Sequence, residues 1–162
     1  MPDISGHHLL ASLSITSRVI TFGVASGLVW SVIADGLSGL SEFRTVVTVF
    51  ISGILTGVLV SLALKSPLQI YGRWSGFVFG TLSLPVGAFI FGVIVSCVQL
   101  LASKITGSGD FPFIGPNSDP IQTGMMYALL SVVSLFTVGL LPLAVLTAFI
   151  LRAVIHESKT SA

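Results

Sequence analysis

The sequence predicts an all-α membrane protein, a four-span transmembrane helical bundle with no soluble domain. Three observations carry this: scarce charge, high mean hydropathy, and four long apolar runs. Only 8% of the 162 residues are charged, against about a quarter in an ordinary soluble domain. The mean hydropathy is +1.04. A water-soluble chain of this composition would expose wide apolar surfaces and aggregate, so lipid is the covering the composition calls for.

About 20 predominantly apolar residues in a helix cross the hydrocarbon core. The runs lie at about 19–37, 45–64, 76–101 and 125–151 and form a single transmembrane domain. They are continuous rather than alternating. That pattern predicts helices rather than barrel strands, because in lipid each segment must satisfy its own backbone. The first run is the shortest, with its apolar part between Val19 and Ala34. The positions after Trp30 offer no small-x-small cleavage site, so this run reads as a retained span and not as a signal peptide. Before it, Ile4 to Ser17 fits either a loosely amphipathic interfacial helix or a frayed terminus. The stretch 103–122, with Phe111-Pro-Phe-Ile-Gly-Pro and Asn117-Ser-Asp-Pro, reads as a loop folding back on the outer surface.

Basic residues set the orientation. With four spans, Arg18, Lys65, Arg73, Arg152 and Lys159 fall on one side, and Arg44 and Lys104 on the other. The first group is therefore assigned to the cytoplasm, together with both termini. Acidic residues lean the other way: Asp35, Glu42, Asp110 and Asp119 are outside.

The runs offer little chemistry. No ionisable residue stands in mid-span, where such groups persist because they act. No phosphate loop, nucleophile elbow or Cys/His cluster is present, so the chain reads as non-enzymatic, with no cofactor and no metal. His7 and His8 are adjacent and diverge by about 100° on a helix, which does not suit chelation of one ion. Cys97 is the single cysteine and reads as a small buried residue. A net charge of +1 gives no field for nucleic acid.

What the runs do contain is small residues four apart: Gly23 and Gly27, Gly53 and Gly57, Gly76 and Gly80, Gly92 and Ser96. Gly72 precedes the third group, Ser61 continues the second, and Gly124 with Ala128 opens the fourth run. That spacing places them on one helix face, where backbones approach closely in lipid. The pattern leaves open whether the contacts lie within the chain or between copies. Pro85 and Pro142 stand near mid-span and are expected to kink their helices. Gln99 is the most polar residue within a run and is expected to make an interhelical hydrogen bond.

Three functions fit. The first is a structural or accessory component of a membrane complex or of a cell or virion envelope. Its partners would be the lipid bilayer and either its own copies as an oligomer or another membrane protein. The second is a small channel or transporter for a neutral or weakly polar solute, gated at the two prolines and lined by Ser52, Thr56, Ser131, Ser134 and Thr137. The third is an immunity or regulatory protein that binds another membrane protein through 103–122. The orientation is directly testable: a reporter active only in the cytoplasm should be active when fused to either terminus. Activity at one terminus alone would exclude an even number of spans.

Overall fold

The computed structural model describes residues 4–38, 43–70, 74–106, 119–133 and 135–160, with side chains described for 15–33, 46–70, 74–105, 119–133 and 139–157. These residues form five helices: α1 (Ile4–Ser38), α2 (Phe43–Ile70), α3 (Ser75–Thr106), α4 (Pro120–Val133) and α5 (Leu135–Thr160). There are no strands among the described residues. Four helices contain stretches long and apolar enough to cross a membrane: Ile15–Ile33, Val46–Ile70, Ser75–Ile105 and Gly139–Glu157.

Three boundaries differ from the sequence reading. Ile4 to Ser17 is not a separate segment, because α1 runs through it without interruption. α2 continues past Lys65 and through Pro67 to Ile70. The extra turn carries Leu68, which is wholly buried, and that packing holds the helix together beyond its proline. The fourth run, read as one span over 125–151, is divided between α4 and α5, with Ser134 outside the described residues. Of the stretch 103–122, the two ends are helical, and 107–118 lies outside the described residues. Pro85 lies inside α3 and is half-buried, while Pro142 lies inside α5 and is exposed.

Consecutive helices pair. α1 packs on α2, α2 on α3, and α3 on both α4 and α5. α5 returns to touch α1 and α2, which closes a ring of four helices. Among the described residues α1 touches neither α3 nor α4, and α2 does not touch α4. α4 therefore stands at the edge, seated on α3.

The ring closes around Val19, Leu68, Leu151 and Ile155, all buried, with Ile15, Phe22, Leu64 and Phe79 packed against them. Each of the four ring helices contributes to this cluster. Arg18, Lys65 and Arg152 flank it, so this is the basic end of the bundle, and Lys104 lies at the far end of α3. Truncation of Leu151 to Ala should destabilise the fold by about 2 kcal/mol in detergent-mediated unfolding, the low end of the range for buried leucines. A detergent or lipid surrounding would remove most of the hydrophobic transfer term and leave the cavity term. The same change at exposed Leu129, on the outer face of α4, should be nearly silent.

Candidate functional site

In lipid, helices associate through close packing rather than hydrophobic drive, so the places where backbones touch govern the arrangement. α1 and α2 meet in an antiparallel ladder. A methyl group on Gly23 would lie 2.7 Å from the Cα of Val58 and 2.9 Å from the Gly57 carbonyl oxygen. One turn along, a methyl group on Gly27 would lie 2.7 Å from the Cα of Ile54. On the other side, a methyl group on Gly57 would overlap the Gly23 carbonyl and lie 2.8 Å from the Cα of Gly27. One on Gly53 would collide with the Ser31 hydroxyl. No side chain larger than hydrogen fits at any of the four.

The ladder continues beyond the glycines in both directions. Ser31 Oγ donates to the Gly27 carbonyl at 2.7 Å and makes a long 3.5 Å contact with the Val49 carbonyl across the interface. Toward the basic end, Lys65 Nζ donates to Thr16 Oγ1 at 2.7 Å.

α3 uses its glycines on two partners. A methyl group on Gly76 would lie 2.9 Å from the Phe149 ring, and one on Gly80 would lie 2.7 Å from the Cα of Val145; both belong to α5. Gly92 faces α4 instead, where a methyl group would lie 3.0 Å from the Cα of Gly124 and 2.9 Å from the Tyr127 ring. Phe91 and Tyr127 meet edge to face, with centroids 6.0 Å apart. Ser96, one turn beyond Gly92, is wholly buried. All eight small-residue positions thus sit at described helix contacts or in the buried interior. Gly72 lies outside the described residues.

These contacts explain why the fourth run is divided. Twelve residues of α3 separate Gly80 from Gly92, a rise of about 18 Å, whereas the 21 residues from Gly124 to Val145 would cover about 31 Å as helix. The α4–α5 path is longer than the stretch of α3 it accompanies and so bows away from it. Space around Gly139 agrees, since a methyl group there would meet nothing within 4 Å. α4 begins only four residues before Gly124, within about 6 Å of the Gly92 level, while α3 rises about 21 Å further to Thr106. Asp119 caps this inset start: its Oδ1 accepts from the Ile121 N–H at 2.9 Å, with Pro120 in the first helical position.

The far half of the bundle is polar inside. Thr48, Ser52, Ser96, Gln99 and Thr123 are buried there. Ser52 Oγ, Ser96 Oγ and Gln99 Oε1 have no hydrogen-bond partner, as does Ser75 Oγ near the basic end. The hydrogen bond expected across the interface is therefore not made by the Gln99 carbonyl. An unmet buried hydroxyl or amide costs about 1–3 kcal/mol. Thr56 and Ser131 avoid that cost by donating to the carbonyls of Ser52 and Ala128 on their own helices, each at 2.7 Å. The side chains of Ser134 and Thr137 lie outside the described residues.

Cys97, expected to be buried, is exposed, because it points away from the face that carries Ser96. No group of three His, Cys, Asp or Glu side chains could hold a metal among the described residues. The side chains of His7, His8, Asp35, Glu42 and Arg44 are outside that set. Thr48, Thr123 and Tyr127 went unsingled by sequence reading, since a hydroxyl on a helix gives no sign of which neighbour it will face. Comparison with protein-family models, curated proteins and solved structures finds no match for this chain.

The packing predicts a contrast between glycines. Gly27→Ala should destabilise the bundle by about 1–3 kcal/mol in detergent unfolding, as overpacking does. Gly139→Ala should be neutral or stabilise by up to about 1 kcal/mol, the helix-propensity gain. Equal responses at the two positions would contradict the ladder.

Proposed function

We propose that this chain is a non-enzymatic integral membrane protein that serves as a structural or accessory component of a membrane complex or of a cell or virion envelope. It crosses the bilayer four times, with the basic end and both termini in the cytoplasm. The observation that carries this reading is where the ionisable side chains fall. Those described (Arg18, Lys65, Lys104, Asp119, Arg152, His156 and Glu157) stand within two turns of an end of the apolar stretches Ile15–Ile33, Val46–Ile70, Ser75–Ile105 and Gly139–Glu157 or outside them, and between them the buried polar groups are hydroxyls and the Gln99 amide. A proton relay or ion-coupled carrier needs ionisable groups facing its pathway within the membrane.

The packing adds support. The small-residue faces are taken up within the chain, so association with other proteins falls to the remaining apolar surface. α4 offers such a surface: it rests on α3 and turns Met125, Met126, Leu129 and Leu130 outward. The reading as a solute channel is weaker. Two of its expected lining hydroxyls, on Thr56 and Ser131, bond to their own backbones, and the helices that carry them do not touch.

In mild detergent the protein should be recovered in stable complexes, with its own copies or with other membrane proteins, by native mass spectrometry and crosslinking in its native membrane. Reconstituted alone in liposomes, it should not accelerate the flux of glycerol or urea. A lone monomer with no crosslinked partner, or a clear solute flux, would overturn the proposal.

A further inference from the structure

We propose that the start of α3, at the basic end of the bundle, binds a phosphate group, held by the N–H groups of its first turn, the Ser75 hydroxyl and the Arg152 guanidinium of α5. The N-terminus of a helix carries partial positive charge and unfilled N–H donors, which suit an anion. In α3 the Phe77 and Val78 N–H groups both donate to the Trp74 carbonyl, at 3.1 and 3.2 Å. Those of Ser75 and Gly76 have no carbonyl of their own helix to reach. A second observation points to the same turn. Ser75 is 5% exposed, and its Oγ has no hydrogen-bond partner. A buried hydroxyl left unmet marks a place where a partner is missing.

The register of α5 directs Arg152 at that turn. Gly80 meets Val145 and Gly76 meets Phe149, so the two helices run antiparallel. Three residues past Phe149, Arg152 comes about 3 Å beyond the level of Ser75. Its direction round α5 follows from its neighbours. At about 100° per residue it falls between Leu151 and Ile155, which belong to the buried cluster, and Val145 and Phe149, which touch α3. On α3, Ser75 lies one turn before Phe79, which packs on that cluster, and Gly76 is the residue that touches Phe149. Arg152 therefore points into the angle that Ser75 and Gly76 line.

Arg152 is half-buried and makes no hydrogen bond or ion pair among the described residues. Lys65, by contrast, is engaged with Thr16. Glu157 is about 140° round α5 from Arg152, so no described carboxylate opposes an anion at this end of α3.

These groups define the ligand as a tetrahedral oxyanion with at least two free oxygens, the chemistry that guanidinium groups and helix N-termini pair with. A phospholipid headgroup and free phosphate both carry it. Trp74, 73% exposed and next to Ser75, favours the headgroup, because indole rings settle at headgroup depth. The lipid source rests on insertion of the bundle in a bilayer, while the site itself is independent of any structural role.

The test follows the Gly76 amide by NMR in the full-length protein, kept in maltoside micelles that carry no phosphate. Dihexanoyl phosphatidylglycerol is titrated in one arm and inorganic phosphate in the other. A saturable shift of the Gly76 amide is expected. Saturation by the lipid alone identifies a headgroup site, and saturation by inorganic phosphate as well shows that the free ion suffices. Arg152→Gln should weaken binding at least about tenfold, and Arg152→Lys less, since the charge remains. Ser75→Ala should weaken it about threefold. Lys104→Gln, which removes an exposed cation at the far end, should leave it unchanged. No saturable shift in either arm, or equal losses from Arg152→Gln and Lys104→Gln, overturns the proposal.

Discussion

The backbones of α1 and α2 touch, and the rest of the bundle is arranged around that contact. Gly23 and Gly27 face Gly57 and Gly53 so closely that a methyl group added at Gly23, Gly27 or Gly57 would strike main-chain atoms, and one at Gly53 the Ser31 hydroxyl. Apolar side chains gain little by leaving lipid for one another, so a lipid-embedded helix pair is held by dispersion and short polar contacts over a well-fitted surface. Four missing side chains supply the fit. Ser31 and Lys65 extend it with hydrogen bonds at the two ends. Once α1 and α2 are fixed as a unit, α2 positions α3, and α3 positions α4 and α5 through its own glycines.

The two halves of the bundle then differ in what fills them. At the basic end four helices close over Val19, Leu68, Leu151 and Ile155, an apolar plug. Toward the far end α5 gives way to α4, which lies on α3 and, among the described residues, touches neither α1 nor α2. The interior there is lined by Thr48, Ser52, Ser96, Gln99 and Thr123. A dry end and a polar end in one bundle follow from the same cause: the fourth run takes two seats on α3, and only one of them completes the ring.

Much of this was legible in the sequence. Continuous apolar runs marked the helices, because a backbone in lipid has few other ways to satisfy itself. Glycines at spacing four marked the faces where backbones meet. Their partners were not legible: nothing in Gly76, Gly80 and Gly92 says that the first two meet α5 and the third meets α4. That choice depends on the register of Gly124 against Phe89 and Val93, a tertiary outcome. The division of the fourth run was hidden because the composition is equally apolar on both sides of Ser134. Gln99 stood out as polar, but that its carbonyl is buried without a partner could only be seen in the packed bundle. The second run was read as ending at residue 64, and α2 continues through Pro67 to Ile70, with Leu68 buried in the extra turn.

The central claim is that the glycine ladder joins α1 and α2 of the same chain. Spin labels at exposed Ile20 and Leu62, one on each helix and with Cys97 replaced by Ser, give a direct measure by pulsed dipolar spectroscopy in nanodiscs. The account predicts one short, narrow distance that is unchanged when labelled protein is diluted with a large excess of unlabelled protein. A distance that disappears on dilution would place the contact between copies and contradict it.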